Sequence, residues 1–478
     1  MSGTFHDIDV PPTLVSFAVD TVNVNDVISP EFKESNNLII YLPVERGEDE
    51  LPNIEKLKTN YSRVKKLIAD KKIKAASAVT LGGLAEAISK MSFGNKIGVE
   101  IEAELSMDEL FSPEYGALVL ELDSESNPEK LLDGLDYKII GKTVSEKVIK
   151  VNNVEIALSE ALKSWQQPLE KIYKTEVPED EKANLTSLKK ENELLNLETY
   201  SSDKSYNSKI KTARPKVLIP VFPGTNCEYD TARQFRKAGA KIDTFIFKNL
   251  EAEQIERSVA QMAAKINQSQ IVAIPGGFSA GDEPDGSGKF IAAVFRNPEI
   301  KEAVMNLLNN RDGLMLGICN GFQALVKLGL LPYGEIRELN EDSPTLTYNT
   351  IGRHVSQMVN TKVISNKSPW LSNLEIGDVH SIPVSHGEGR FVASAEMVKE
   401  LEAKGQIITQ YVDLNGDPTM DLPYNPNGST AAVEGICSPD GRVLGKMGHS
   451  ERIGDNVAKN ITGKKDQMLF KAGVDYFK

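Results

Sequence analysis

The sequence predicts an α/β protein in which an α+β module precedes a parallel sheet with helices on its faces. Two observations carry this expectation. From Pro215 onward, apolar runs and helical periodicities alternate in strand, turn, helix order, the pattern of a parallel sheet. Before that, short apolar runs bounded by Gly, Asp and Asn are interleaved with helix-like segments in no fixed alternation. The length of 478 residues is enough for about three domains at roughly 150 residues each. The expected division is residues 1–26 as the end of one domain, 27–163 as a second, 164–214 as a linker and 215–478 as the last.

In the front part, residues 14–19 are strand-like, and the apolar runs at 38–42, 117–122 and 137–140 read as strands. Helical spacing covers 53–70 and 81–91, the latter with Leu84, Ala87, Ile88 and Met91 three or four residues apart. From about 174 to 214 the composition turns polar, as in a surface-wrapping linker that buries little. Behind Pro215 the expected order is strand 217–222, helix 228–238, strand 242–247, helix 252–266, strand 271–274, then strand 314–318 and helix 323–330. A further strand at 442–447 precedes His449.

Acidic residues number 68 and basic residues 55, a formal net charge of −13, which argues against a nucleic-acid partner. The apolar runs are too short to span a bilayer. Three cysteines cannot build a disulfide framework, and the first residues lack the basic and apolar blocks of a signal peptide, so a cytoplasmic setting is expected.

Cys319 carries the strongest chemical signal. An apolar strand delivers it into Gly317-Ile-Cys-Asn-Gly321, whose glycines permit a tight strand-to-helix turn that exposes a nucleophile. A helix N-terminus favours its thiolate, and the Asn320 amide is placed to meet an oxyanion. Cys227 and Cys437 have no such frame and are expected to pack. A thiolate needs an imidazole, and the imidazole needs an orienting carboxylate. His449-Ser-Glu451 and His386-Gly-Glu388 both offer that spacing after a strand, and spacing does not choose between them. His6, His354 and His380 are expected at the surface or in structural roles. The Gly turns at 222–226 and 275–282 end strands; the second lacks the Gly-Lys-Ser/Thr ending of a P-loop, and its amides would complete an oxyanion hole opposite Asn320, with a plain turn as the alternative for both loops.

With Gly-Ile-Cys-Asn-Gly-Phe-Gln at Cys319, Pro275-Gly-Gly-Phe-Ser, Ser385-His-Gly-Glu-Gly-Arg and Tyr424-Asn-Pro-Asn-Gly-Ser in order, the chain resembles phosphoribosylformylglycinamidine synthases. The resemblance implies that 215–478 is their flavodoxin-like, Rossmann-like class I glutamine amidotransferase domain. It also implies that Cys319, His449 and Glu451 form the triad, the latter two within Met447-Gly-His-Ser-Glu-Arg452. That family usually has Pro where Ser450 stands. Gly276, Gly277, Phe278 and Asn320 would serve the oxyanion, with Gln323 and His386 beside the substrate. Residues 27–163 resemble the aminoimidazole ribonucleotide synthetase C-terminal domain, and Val10-Pro-Pro-Thr-Leu-Val the end of the ATP-binding-type domain before it.

The resemblance further implies glutamine as substrate, hydrolysed without a cofactor. Its ammonia would pass to an ATP- and Mg2+-dependent centre that makes formylglycinamidine ribonucleotide in purine biosynthesis. That centre would lie in an upstream synthase half, with Met1 inside a longer polypeptide. Thr80-Leu-Gly-Gly83 carries no carboxylate where relatives often have one, so no metal ligand is expected there.

Overall fold

The computed structural model describes residues 3–5, 8–10, 14, 16–49, 51–175, 177, 194–202, 206–279 and 288–478. The chain divides into two compact units, residues 1–171 and 172–478.

In the first unit, β1 (Gly3–Phe5) and β2 (Ile8–Val10) form an antiparallel pair. Seven further strands follow: β3 (Leu38–Leu42), β4 (Ile73–Ala78), β5 (Gly98–Ile101), β6 (Leu118–Leu122), β7 (Lys138–Val144), β8 (Val148–Val151) and β9 (Val154–Ala157). They form one sheet in the order β4-β6-β3-β7-β5-β8-β9, antiparallel except for β5 with β8. The sheet is covered on both faces, which explains the unbroken apolar run of β3. Ile39 and Tyr41 pack with Leu84, Ile88 and Met91 of α2 (Gly83–Asn95), whereas Ile40 and Leu42 pack with Val64 and Leu67 of α1 (Ile54–Ala69). The strand expected at 14–19 does not form among its described residues, because nothing pairs with it: Leu14, Phe17 and Val19 are exposed. Helix α3 (Leu158–Gln166) closes the unit.

The polar stretch is not a free tether. Its described parts belong to the second unit, where Leu194 enters the core, the Tyr200 amide donates to Ile364 O at 2.9 Å and Ser208 donates to Tyr476 O at 2.8 Å.

The second unit is built on a nine-stranded sheet. Its parallel half contains β10 (Lys216–Val221), β11 (Lys241–Ile246), β12 (Ile271–Ile274), β13 (Leu314–Ile318) and, last in the chain, β20 (Val443–Lys446), in the order β11-β10-β12-β13-β20. Crossovers run through α4 (Glu228–Lys237), α5 (Ala252–Asn267) and α6 (Pro298–Asn309). An antiparallel half continues from β20 as β19 (Val433–Cys437), β18 (Ile407–Val412), β15 (Val355–Val363) and β16 (Val379–His386). A side hairpin pairs β14 (Thr345–Thr347) with β17 (Arg390–Val392). Every residue of β12 and β13 is buried, as expected for central strands with helices on both faces. The helix expected from 323 starts earlier, as α7 (Asn320–Lys327), because Cys319 itself caps it.

Candidate active site

The register of β13 with β20 pairs Gly317 with Gly445 and Ile318 with Lys446, so both strands release their next residues at one edge of the sheet. Cys319 follows at φ 52° and ψ −107°, a conformation that costs a non-glycine residue roughly 1–3 kcal/mol. Surrounding packing imposes it. A Cβ on Gly321 would lie 2.0 Å from Ile274 O, and one on Gly317 would lie 2.6 Å from Leu325 Cδ1. The Cys319 N–H donates to Lys446 O at 2.9 Å, and its carbonyl accepts the Gln323 N–H at 3.0 Å. Its side chain is 5% exposed and its thiol faces Ser385 O, 3.7 Å away at the end of β16.

Three residues beyond β20, the His449 N–H is anchored on Pro383 O at 2.8 Å. Its Nδ1 meets Glu451 Oε1 at 2.6 Å, both side chains being buried. This leaves Nε2 buried and without a partner, as a proton-transfer position requires. A Cβ on Gly276 would lie 2.8 Å from His449 Cε1 and 3.4 Å from Cys319 Cβ, so imidazole and thiol converge on the space that this glycine leaves open. Burial opposes a charged imidazole, but the Glu451 carboxylate and Cys319 thiolate hold its pKa well above the ordinary histidine value. Glu451 is buried too, and the facing imidazolium keeps its carboxyl below the usual range.

The second histidine has different surroundings. His386 Nδ1 pairs with Asn349 Oδ1 at 3.1 Å and Nε2 has no partner, so its ring is not held by a carboxylate. Burial, helped by the charge on His449, pushes its pKa down to about 3, which keeps it neutral. Asn427 donates to Gly389 O at 2.7 Å and Asn349 to His386 O at 2.8 Å, so the Ser-His-Gly-Glu-Gly and Asn-Pro-Asn-Gly-Ser segments are tied together beside Cys319.

The glycine turn needs one correction. The Phe278 N–H donates to Gly224 O at 2.8 Å and is spent on joining two loops, so it leaves the donor set expected for an oxyanion. Gly276 O likewise accepts from the Asn226 and Cys227 amides at 3.2 and 3.3 Å. Asn320 opens α7, and the amide of a first helical residue has no acceptor within its helix. Gln323 is a buried brace: Nε2 donates to Glu388 O, and Oε1 accepts from Asn320 Nδ2 at 3.0 Å. Residues 280–282 of the expected turn lie outside the described residues, as does His6.

Cys227 corrects a second expectation. Its Sγ accepts from Arg452 Nη2 at 3.2 Å and lies 3.9 Å from His449 Nδ1, so it borders the site, whereas Cys437 is a packing residue whose thiol burial pushes up to about 12. Ligand atoms of Cys227, His449 and Glu451 lie within 4.8 Å of one another. They make a poor cation site, because the Arg452 guanidinium points at the sulfur and the His449–Glu451 hydrogen bond takes the other two. Nothing in the sequence marks Cys227 or Asn349, and Arg452 stands out only as the last residue of the motif that holds His449 and Glu451. Their roles depend on loops that meet only in the fold.

Residues 214–477 match the CobB/CobQ-like glutamine amidotransferase domain family, and residues 37–152 match the C-terminal domain of AIR synthase related proteins. The phosphoribosylformylglycinamidine synthase subunit PurQ of Methanococcus maripaludis is 37% identical over 284 residues, 55% of this chain and 97% of that protein. The same subunit of Aquifex aeolicus is 33% identical over 259 residues, covering 53% of this chain and 96% of its own. The phosphoribosylformylglycinamidine synthase of Dictyostelium discoideum is 28% identical over 469 residues, 86% of this chain, which spans 33% of that relative. No helix among the described residues is long and apolar enough to cross a membrane.

Proposed function

The chain belongs to the phosphoribosylformylglycinamidine synthase family through its glutamine amidotransferase domain, and on that premise we propose that residues 215–478 hydrolyse glutamine through a thioester on Cys319. The observation that carries this reading is the buried constellation of Cys319 at a helix N-terminus, His449 with a free Nε2, and Glu451 at 2.6 Å from Nδ1. The thiolate attacks the side-chain amide carbon of glutamine. The Asn320 amide, opposed by Gly277, holds the oxyanion, and the His449 imidazolium gives its proton to the departing ammonia. Neutral His449 then takes a proton from water, which cleaves the thioester to glutamate. Glu451 keeps the imidazole in one tautomer throughout. His386, held neutral, lines the site beside the nucleophile.

The ammonia serves glutamine-dependent purine biosynthesis, in which the ATP-requiring step makes formylglycinamidine ribonucleotide from formylglycinamide ribonucleotide in the cytoplasm. That step, with Mg2+, belongs to an upstream synthase half that would be this chain's partner. Residues 80–86 do not fit a metal: Glu86 accepts from the Thr80 hydroxyl and the Gly82 amide, both at 2.9 Å, and pairs with Lys90 at 2.6 Å. No metal-dependent step is therefore routed through residues 80–86, and the described residues between 194 and 214 act as a covering segment of the catalytic unit.

The test is glutamine turnover by the purified chain. Cys319→Ala abolishes it, and His449→Ala lowers it by ~10³-fold or more. His386→Ala keeps thioester formation, trapped by acid quench and mass spectrometry. Thioester formation at full rate in Cys319→Ala would refute the proposal.

A further inference from the structure

A buried ion pair sits behind the triad, and the reaction as written makes no use of it. Lys446 Nζ, at the end of β20, meets Glu434 Oε1 of β19 at 2.9 Å, with side chains 1% and 0% exposed. The two groups close a ring around a single residue. Glu434 Oε1 also accepts the Gly448 N–H at 2.7 Å, and Lys446 Nζ donates to Gly448 O at 3.1 Å. The other carboxylate oxygen is oriented by the Thr409 hydroxyl at 2.5 Å.

Gly448 immediately precedes His449, and the Lys446 carbonyl accepts the Cys319 N–H at 2.9 Å. One lysine thus touches the backbone of the nucleophile with its main chain and the backbone leading to the base with its side chain. There is no slack in this arrangement: a Cβ on Gly448 would lie 2.1 Å from Ile382 Cδ1, 2.9 Å from Glu434 Oε1 and 3.0 Å from Lys446 Nζ.

Burying two charges costs desolvation that mutual attraction barely offsets, and apolar side chains of similar volume usually serve stability as well or better. What they cannot do is accept from the amide and donate to the carbonyl of one residue at once. We propose that Glu434 and Lys446 are positioning residues that fix the approach of the His449 imidazole to the Cys319 thiol. The proposal rests on the glutaminase reading above.

The test compares the full chain with Glu434→Gln/Lys446→Met, which removes both charges so that neither is left buried alone, and with Thr409→Val, which only frees the carboxylate to turn. Each is assayed for kcat and KM toward glutamine, for thermal midpoint, and for the rate at which iodoacetamide labels Cys319 at pH 7, read by peptide mass spectrometry. The expected result for the double variant is a kcat lowered about 10- to 100-fold with KM within about 2-fold, because a small misplacement of a reacting group costs this much. Cys319 labelling slows about 10-fold, since the thiolate has lost its aligned imidazolium. Thr409→Val moves kcat in the same direction by about 3- to 10-fold and decides the matter if the double variant does not fold.

A folded variant with native kcat and native labelling overturns the proposal. So does a loss in which kcat falls only as the thermal midpoint falls, the result of a purely structural pair. If the wild-type chain turns over no glutamine, the glutaminase reading fails by itself, and the labelling rates still decide whether the pair aligns His449 with Cys319.

Discussion

At the scale of single residues, the site is governed by what burial does to charge. His449 and Glu451 are both removed from water, and each is charged because the other is. The imidazole is raised, so its contribution to stability is complete below its unfolded value of about 6.5 and is lost as pH climbs through the higher folded value. The carboxylate is depressed, so its contribution is present above its unfolded value of 4.5 and is lost as pH drops through the lower folded value. The two windows overlap between pH 4.5 and 6.5. Glu451→Gln is therefore expected to be less stable than wild type by about 2 kcal/mol near pH 6, with the gap closing toward pH 10. Urea unfolding at pH 6, 8 and 10 measures it, and a gap independent of pH would show that the pair is not ionised. The same residues show why the histidine choice was open in the sequence. His386-Gly-Glu388 and His449-Ser-Glu451 share a spacing, and what separates them is Asn349, 37 residues before His386, which takes the Nδ1 position that a carboxylate holds in the other.

At the scale of elements, the reactive turn is legible in the sequence because its requirements are local. An apolar strand, two glycines and a helix after them are read directly, and β13 occupies the residues expected of it, although the helix begins at Asn320, three residues before the expected start. In the antiparallel half of the sheet only the strand before His386 was read, and β15, β18 and β19 were not legible. Its strands mix Ser, Thr, Asn and His with apolar residues, as in Val379–His386, where buried and half-buried positions alternate as on a strand with one face toward the core. The positions that bring loops together carry the tightest constraints. Gly321→Ala places a Cβ on Ile274 O of the neighbouring strand, a backbone atom that cannot swing aside, and is expected to cost ~1–3 kcal/mol in urea unfolding. Gly276→Ala drives its Cβ into the His449 ring and the Cys227 sulfur instead, where side chains can move. It is expected to keep most of the stability while lowering glutamine turnover by ~100-fold. If Gly276→Ala were as active as wild type, the imidazole would not be where the turn places it.

At the scale of the whole molecule, the two units have cores that share no residue: one set around Ile39, Leu84 and Met91 with a second around Ile40, Val64 and Leu120, and a separate, larger one around Val217, Phe235 and Leu314. The change at Pro215 from irregular to regular alternation was visible along the chain. The assignment of the polar stretch was not, because its ties are long-range backbone bonds, from Tyr200 to Ile364 and from Ser208 to Tyr476, that leave no periodicity. Those ties also decide where a cut is tolerated. A chain starting at Pro215 loses Leu194 from the larger core and the strap across Ile364, whereas one starting at Ile172 keeps both. Separate cores unfold as separate cooperative events unless an interface couples them. Residues 172–478 alone are therefore expected to unfold in one urea transition and to hydrolyse glutamine, and the full chain in two transitions, of which only one abolishes Cys319 labelling. Residues 215–478 alone are expected to show the same transition at lower urea. Equal midpoints for the 172–478 and 215–478 chains would show that the polar stretch adds nothing to the catalytic unit.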